Sequence, residues 1–351
     1  MIRNSIPYLK FRRNRLGMIC FWILAVMYIS FLFEGFLAPY QPNTKFKSKS
    51  YQPPHRIHFI HDGKFIGPYV YEYEMANPFF KKYRTDYSKV HRISFFVKGD
   101  EYRLFGLIPA RTHLFGTKDG SPVFLMGADR LGRDLLSRII YGAKISLTIG
   151  FVSILTAMLG GILVGGLAGY FGGITDWFIM RGCEIIILLP TFYFFLFLRS
   201  VLPADMTPGQ KFMFITLILA IPSWAGSARG IRNWVLSLKN ADYVTAARIA
   251  GTGPLKIIFR HIIPQIRNIL ILDITLSVPG IILGEAGLSF LNLGITEPSV
   301  SWGMLMSAAM DINVLIQYPW IACPAFVIIL TVFCFFSLGY SLKDAFDPKS
   351  L

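Results

Sequence analysis

Residues 241–264 read ADYVTAARIAGTGPLKIIFRHIIP, the longest mostly soluble passage in a second half otherwise built of membrane-length apolar runs. The pattern predicts two short helices joined by a tight turn. Asn240 is placed to cap the first, and Asp242 adds negative charge to the first turn, where the helix dipole favours it. Ala246, Ala247, Ala250 and Gly251 give that helix a small-residue surface that another protein can approach closely. Gly251-Thr252-Gly253-Pro254 ends it and starts the next, with Gly past the end and Pro in a first turn. The second helix sets Ile257, Ile258, Ile262 and Ile263 among Lys256, Arg260 and His261, closes at Pro264, and suits a membrane surface. On pattern alone an ordinary helical hairpin loop fits the same residues.

The surrounding composition sets the class. The chain is 54% hydrophobic and only 16% charged, with positive mean hydropathy, which excludes an ordinary soluble domain. Its net charge of +15 invites a nucleic-acid reading. The basic residues, however, flank apolar runs or gather in one loop, as cytoplasmic membrane flanks do. No nucleic-acid partner is expected; the bilayer is. Cys20, Cys183, Cys323 and Cys334 all lie inside apolar runs without CxxC or metal spacing and read as small packing residues.

The expected fold is all-α and polytopic, with six transmembrane helices and a β-rich extracytoplasmic insertion between the first two. Residues 1–16 carry Arg3, Lys10, Arg12, Arg13 and Arg15 and predict a cytoplasmic N-terminus. Residues 17–36 form the first span, long enough to cross a bilayer and followed by no small-x-small cleavage site. The insertion covers 37–126 and an amphipathic helix 127–144. The helical core covers 145–342: spans at about 145–170, 183–201 with Pro190 as a kink, 211–230, one from about Asn268, and 319–340. Within it the soluble loop covers 240–264. Gly160, Gly161, Gly165, Gly166 and Gly169 stud the second span and suit backbone-to-backbone packing. Residues 343–351 form a cytoplasmic C-terminus. From Asn268 to Leu342 there is no Lys or Arg, so the loop before the last span is external and the 240–264 loop internal. Arg130, Arg133, Arg138 and Lys144 run against this orientation, since they stand outside, close to the second span.

In the insertion, Ile93–Val97 and Glu101–Phe105 read as strands, with hairpin turns at Asp62-Gly63 and Lys98-Gly99-Asp100. His55, His58 and His61 are three apart, but no Cys or acidic cluster supports them, so no metal is expected.

Several motifs resemble one family, the ABC importer permeases of the dipeptide, oligopeptide and nickel class. Thr245-Ala246-Ala247 with Gly251 is similar to the family's E-A-A-x-x-x-G loop, with Thr for Glu and Ile263-Pro264 at its end. Asp242-Tyr243-Val244-Thr245-Ala246-Ala247-Arg248 is similar to E-Y-V-x-A-A-R of the peptide branch. Residues 127–147, GADRLGRDLLSRIIYGAKISL, resemble that branch's approach to its second span. Glu285-Ala286-Gly287-Leu288-Ser289-Phe290-Leu291, Pro298–Gly303 (PSVSWG) and Asp344-Ala345-Phe346-Asp347-Pro348 resemble later family segments.

The resemblance implies a C-type permease of the inner membrane that pairs with a homologous second permease. It further implies two ATP-binding ATPase subunits clasping the loop and an extracytoplasmic substrate-binding protein. Asp242, Tyr243, Thr245, Ala246, Ala247, Arg248, Gly251 and Pro264 become the ATPase-coupling residues. A peptide cargo is expected; nickel or another small solute on the same architecture is the alternative, and a secondary transporter a more distant one. Glu285, and after it Asp273, are intramembrane carboxylates. Such groups face protein or a watery path, so they are gate or pathway candidates, or else buried carboxylates bonded between helices. The chain has no G-x-x-x-x-G-K-[ST] and no hydrolase or metalloprotease motif. It is therefore not expected to be an enzyme or to hold a cofactor, and ATP hydrolysis falls to another polypeptide.

Overall fold

The computed structural model describes residues 6–346 apart from Leu202, Ala204 and Asp205; Arg3 and the Asp347-Pro348 pair lie outside the described residues. In chain order the elements are α1 (Ile6–Arg13), α2 (Arg15–Leu32), α3 (Glu34–Leu37), β1 (His58–His61), β2 (Lys64–Asn77), β3 (Lys82–Leu104), β4 (Ile108–Thr117), α4 (Leu135–Phe171), α5 (Gly173–Leu188), α6 (Thr191–Val201), α7 (Pro208–Leu238), α8 (Asp242–Ile249), α9 (Pro254–Ile257), α10 (Arg267–Phe290), α11 (Trp302–Met306), α12 (Ile312–Gln317) and α13 (Cys323–Phe346). Five helical runs among the described residues are long and apolar enough to cross a membrane: Arg15–Leu32, Leu135–Phe171, Pro208–Leu238, Pro254–Phe290 and Pro319–Phe346.

A sixth span exists only if α5 and α6 count together, as Gly173–Leu188 and Phe192–Leu198 bent by 95°. This corrects the continuous span expected over 183–201. Leu189, which precedes Pro190, is extended with ψ 127°, because the proline ring crowds the preceding residue out of the helical region. The chain therefore breaks there instead of kinking. The separate amphipathic helix expected over 127–144 is corrected too. Residues 127–134 are non-helical, and α4 runs unbroken from Leu135.

The chain divides into two compact units. One comprises Met1–Leu24, Thr148–Leu288 and Thr331–Leu351. Its α4 and α7 approach closely through glycines at four-residue spacing. A Cβ on Gly161 would lie 2.9 Å from the Ser227 Cβ, one on Gly165 would fall on the Ala228 carbonyl, and one on Gly169 would lie 2.7 Å from the Arg232 carbonyl oxygen. Any side chain there would push the helices apart, so the small-residue stripe is what allows the contact. Ala225 and Ala228 of α7 are also buried with Cys183 of α5, and Arg232 forms a two-pronged ion pair with Asp176.

The other unit comprises Ala25–Leu147 and Ser289–Leu330. It carries a four-stranded antiparallel meander, β1-β2-β3-β4. The β1–β2 turn is at Asp62-Gly63, both with positive φ, as the sequence predicts for a type I′ hairpin. Lys98-Gly99-Asp100 is not a turn. It lies inside β3 as an irregularity between the Lys98 and Tyr102 pairings, and the real hairpin is at Phe105-Gly106, again with positive φ. The bulge is held in place because Asp100 Oδ2 accepts from Gln41 N at 3.1 Å and from Thr44 Oγ1 at 2.8 Å. The three histidines do not converge. His55 Nδ1 accepts from Phe124 N at 2.9 Å, and burial pushes His55 down to about 4. His58 lies beside Tyr69 and Tyr71, and no metal-competent cluster exists among the described residues.

Ahead of α4, Asp129 organises a buried ion network. Its Oδ1 accepts from Leu131 N and Arg133 N, and its Oδ2 takes Arg133 Nε at 2.7 Å and Arg138 Nη1. Glu297 completes it, 2.8 Å from Arg133 Nη2 and 3.3 Å from Arg138 Nη2. The Arg133 hydrogen bond, opposed by partial burial, holds the Glu297 carboxyl below its usual range. Asp134 caps α4, accepting from Ser137 N at 2.8 Å and Ser137 Oγ at 2.6 Å. Trp302 is buried against α4, its indole donating to Ile139 O at 3.0 Å and its backbone N to Ser146 Oγ at 3.1 Å. The Asp129→Ala variant leaves two buried guanidiniums short of their counter-charge. It should lose about 3–5 kcal/mol of stability, read as an earlier thermal unfolding midpoint in detergent, whereas Arg130→Ala, at an exposed neighbour, should leave the midpoint unchanged.

Candidate functional site

The 241–264 stretch folds as two helical pieces, as its sequence predicts, but its ends differ. α8 is capped by Ala241, not Asn240, and no side chain bonds the cap. At its other end Gly251 N donates to Arg248 O and Thr252 N to Ala247 O, both at 3.0 Å, with Gly251 at φ 75°. That is the double hydrogen bond of a Schellman motif, which needs a left-handed residue just past the helix. Nothing lies within 4 Å of a Cβ added at Gly251. Backbone conformation, and not crowding within this chain, is what calls for glycine here. Gly253 then caps α9 with Pro254 at its first position.

Pro264 does not close the second helix. The run stays helical from Pro254 to Phe290 by changing its winding. A π-turn over Ile258–Ile262 and a 3₁₀ turn over Ile263–Ile266 lie between α9 and α10. Proline lacks an N–H and its ring clashes with the carbonyl four residues back; a local change of hydrogen-bond register absorbs both problems.

The stretch is anchored on one face only. Val244, Ile257, Ile262 and Ile266 are buried with Met158 of α4, Ile231 and Val235 of α7 and Leu270 of α10, and Ala247 packs half-buried at the edge. Arg248 donates to Lys239 O at 3.3 Å and sits over the Tyr170 ring. The opposite face is open. Asp242, Tyr243, Thr245, Ala246, Arg248, Gly251 and Pro264 are exposed, so seven of the eight residues named from the sequence share solvent and only Ala247 turns inward. Two apolar residues that the motif reading missed belong to this face: Ile249 is 84% exposed and Leu255 57% exposed. The signal was present in the helical period, which puts Ile249 on the face away from Val244. An isoleucine and a leucine are thus left exposed in a stretch that also carries exposed Asp242, Arg248 and Lys256.

The two intramembrane carboxylates do not form one site. Both are on α10, twelve residues apart, or roughly 18 Å of helical rise. Glu285 is fully buried, where α10 meets its neighbours: a Cβ on Gly150 of α4 would touch Ile282, and one on Gly284 would lie 3.2 Å from Leu219 of α7. Asp273 is half-buried and accepts a hydrogen bond from Ser227 of α7.

Comparison with known proteins bears on the same helices. Residues 161–350 match the family described as binding-protein-dependent transport system inner membrane component, and residues 8–54 match the N-terminal transmembrane domain of oligopeptide transport permease C. The chain belongs to this binding-protein-dependent permease family. Among its relatives, the oligopeptide transport system permease protein OppC of Haemophilus influenzae is 40% identical over 64% of this chain and 70% of its own. The dipeptide transport system permease protein DppC of Bacillus subtilis is 38% identical over 69% and 71%. A solved inward-facing structure of the MetNI methionine ABC transporter aligns at TM-score 0.36 and 14% identity, over 55% of this chain and 96% of that one; so remote a likeness does not bear on the fold.

The chain is thus a helical multi-pass permease of the inner membrane. The family match takes in both the 241–264 stretch and α10, while the β-sheet, residues 58–117, lies outside both matched segments. Substituting Gly251 tests the turn at the centre of the site. Gly251→Ala forces an alanine into the left-handed region at a cost of about 1–2 kcal/mol. It should lower the unfolding midpoint, while Gly251→Asn, which tolerates that conformation, should recover most of the loss.

Proposed function

We propose that this permease is one transmembrane subunit of an ATP-driven peptide importer and that the open face of α8 and α9 receives an ATPase subunit. The observation that carries the reading is the one-sided anchoring of the 241–264 stretch in a chain of this family. One face is fixed to three membrane helices; the other offers Tyr243, Ala246, Ile249, Gly251 and Leu255 to solvent. A rigid body pushed from that face moves the roots of α7 and α10 with it, which is what power delivered from outside the chain requires. With no P-loop in the sequence, the nucleotide belongs to the partner. The full assembly we infer has a homologous second permease, two ATPase subunits and an extracytoplasmic binding protein that hands over the cargo. The oligopeptide and dipeptide permeases among the relatives support a peptide as that cargo.

In this reading α5 and α6 count as one broken span, giving six, and both termini and the 241–264 stretch face the cytoplasm. The β-sheet lies outside. The conflict with the positive-inside rule is met by the length of the segment before the second span, since that rule is counted over short loops. Three of the four cations there are also paired: Arg133 and Arg138 with Asp129 and Glu297, and Lys144 with Glu34, its Nζ 2.7 Å away. Glu285, buried where α4, α7 and α10 meet, and after it Asp273 on the same helix are the gate or pathway candidates.

Affinity purification of the tagged chain from its own cells should bring down a P-loop ATPase. Ala246→Arg, placed on the exposed face, should abolish that capture and labelled-peptide uptake at least about tenfold without shifting the unfolding midpoint, since it touches no core residue. Uptake that survives Ala246→Arg, or a pull-down free of any ATPase, sinks the docking reading. Glu285→Gln keeps shape and hydrogen bonding but removes the charge; it should slow uptake while leaving the purified assembly intact, and unaltered uptake removes the role given to that carboxylate.

A further inference from the structure

The hairpin between β3 and β4 presents an apolar tip that no packing within its unit explains. Phe105 is 53% exposed, Leu107 82% and Ile108 57%. Leu104 pairs across to Ile108, and Gly106, at φ 73°, makes the turn. A hairpin tip in water ordinarily carries Asn, Asp, Ser or Gly. Here Phe105-Gly106-Leu107-Ile108-Pro109 has no polar side chain at all.

Where this tip stands can be read from the first span. Between Arg15 and Glu34 the chain has no charged residue, so the hydrocarbon ends at about Phe33 and the headgroup level begins at Glu34, whose carboxylate meets Lys144. Three contacts lay β3 along this boundary. The Phe96 ring lies 6.1 Å from Phe36, the Tyr102 ring fills the space above Gly35, and the Phe105 ring lies 5.3 Å from Phe33. Toward the tip, the partners of β3 are Phe36 and Gly35 of α3 and then Phe33, the last residue before Glu34. The tip therefore lies at the end of the span's apolar run, with Leu107 and Ile108 beyond its last contact. On the span itself Val26, Ile29 and Leu32 are exposed, so the apolar surface of the tip continues that of the span. Arg103 is on an exposed position of the hairpin beside the tip, while Arg111 is paired with Glu101 across the strands.

We propose that the Phe105–Ile108 tip is a lipid-inserted wedge that seats the β-sheet in the outer part of the bilayer beside the first span. Burying apolar side chains a few ångströms into the headgroup and acyl boundary is favourable in the same way as for an interfacial amphipathic helix, and neighbouring basic groups add attraction to anionic lipid. This inference rests on the membrane-spanning reading of α2 and not on the nature of the cargo or the ATPase.

The test uses the full chain with its copurifying subunits, in nanodiscs of phosphatidylcholine and phosphatidylglycerol, on a Cys323→Ala background. The other three native cysteines are buried. An environment-sensitive fluorophore is attached at Leu107→Cys and, as a second tip site, at Ile108→Cys. Ser88→Cys on the exposed middle of β3 serves as the aqueous control and Ile29→Cys on the span as the lipid control. Both tip labels should be quenched at least about threefold more by shallow nitroxide-bearing lipid than the Ser88 label, and be correspondingly shielded from aqueous iodide. Tip labels open to iodide and insensitive to nitroxide lipid overturn the proposal, as does shielding from both, which means a protein neighbour covers the tip. If the Ile29 label also fails to meet lipid, the spanning assignment of α2 is at fault; if it is quenched while the tip labels are not, the wedge alone is wrong.

Discussion

A chain that passes through hydrocarbon has to satisfy every backbone N–H and C=O within itself, because no water is there to do so. That constraint governs the helical part of this permease. It explains why α4 runs for 37 residues without interruption and why Pro264 is accommodated by a π-turn and a 3₁₀ turn instead of ending a helix. It also explains why α4 and α7 meet through bare glycine backbone, since helices in lipid gain from close van der Waals contact and not from hiding apolar surface. The run from Pro254 to Phe290 also joins exposed Leu255 to buried Glu285 within one helical stretch.

Where the chain leaves the hydrocarbon, a different economy holds. Asp129 can take two guanidiniums out of water only because its oxygens are shared among backbone and side-chain donors, and Glu297 serves the remaining nitrogens. A buried pair of this kind adds little net stability over an apolar equivalent, yet it is severe to break. Its physical effect is to fix one geometry for the loop before α4 and the segment before α11. The broken pair α5 and α6 follows from local sterics instead, with one proline and the extended residue in front of it.

Much of the architecture was legible in the residues. The apolar runs gave five of the spans, the Asp62-Gly63 dipeptide gave a hairpin, and Gly251-Thr252-Gly253-Pro254 gave the helix–turn–helix of the 241–264 stretch. Each of these rests on the conformational demand of a short segment. The failures share a cause. Lys98-Gly99-Asp100 looked like a turn because glycine permits one, but pairing with β4 on both sides held the strand extended. The pairing of the basic residues near the second span was hidden by distance, since Glu297 is 159 residues from Arg138 and Glu34 is 110 from Lys144. Ile249 was legible in the helical period but lay outside the family motif; the exposure of Leu255 depends on what the rest of the chain covers.

The sequence by itself determined the membrane class, the family motifs, the two-helix form of the 241–264 stretch and the absence of a nucleotide loop, all set by local composition and spacing. Only the tertiary structure decided which face of that stretch is free, that Glu285 is fully buried and Asp273 is not, and which cations are paired. Those outcomes depend on side chains brought together from distant parts of the chain, and no local pattern encodes the distance between them.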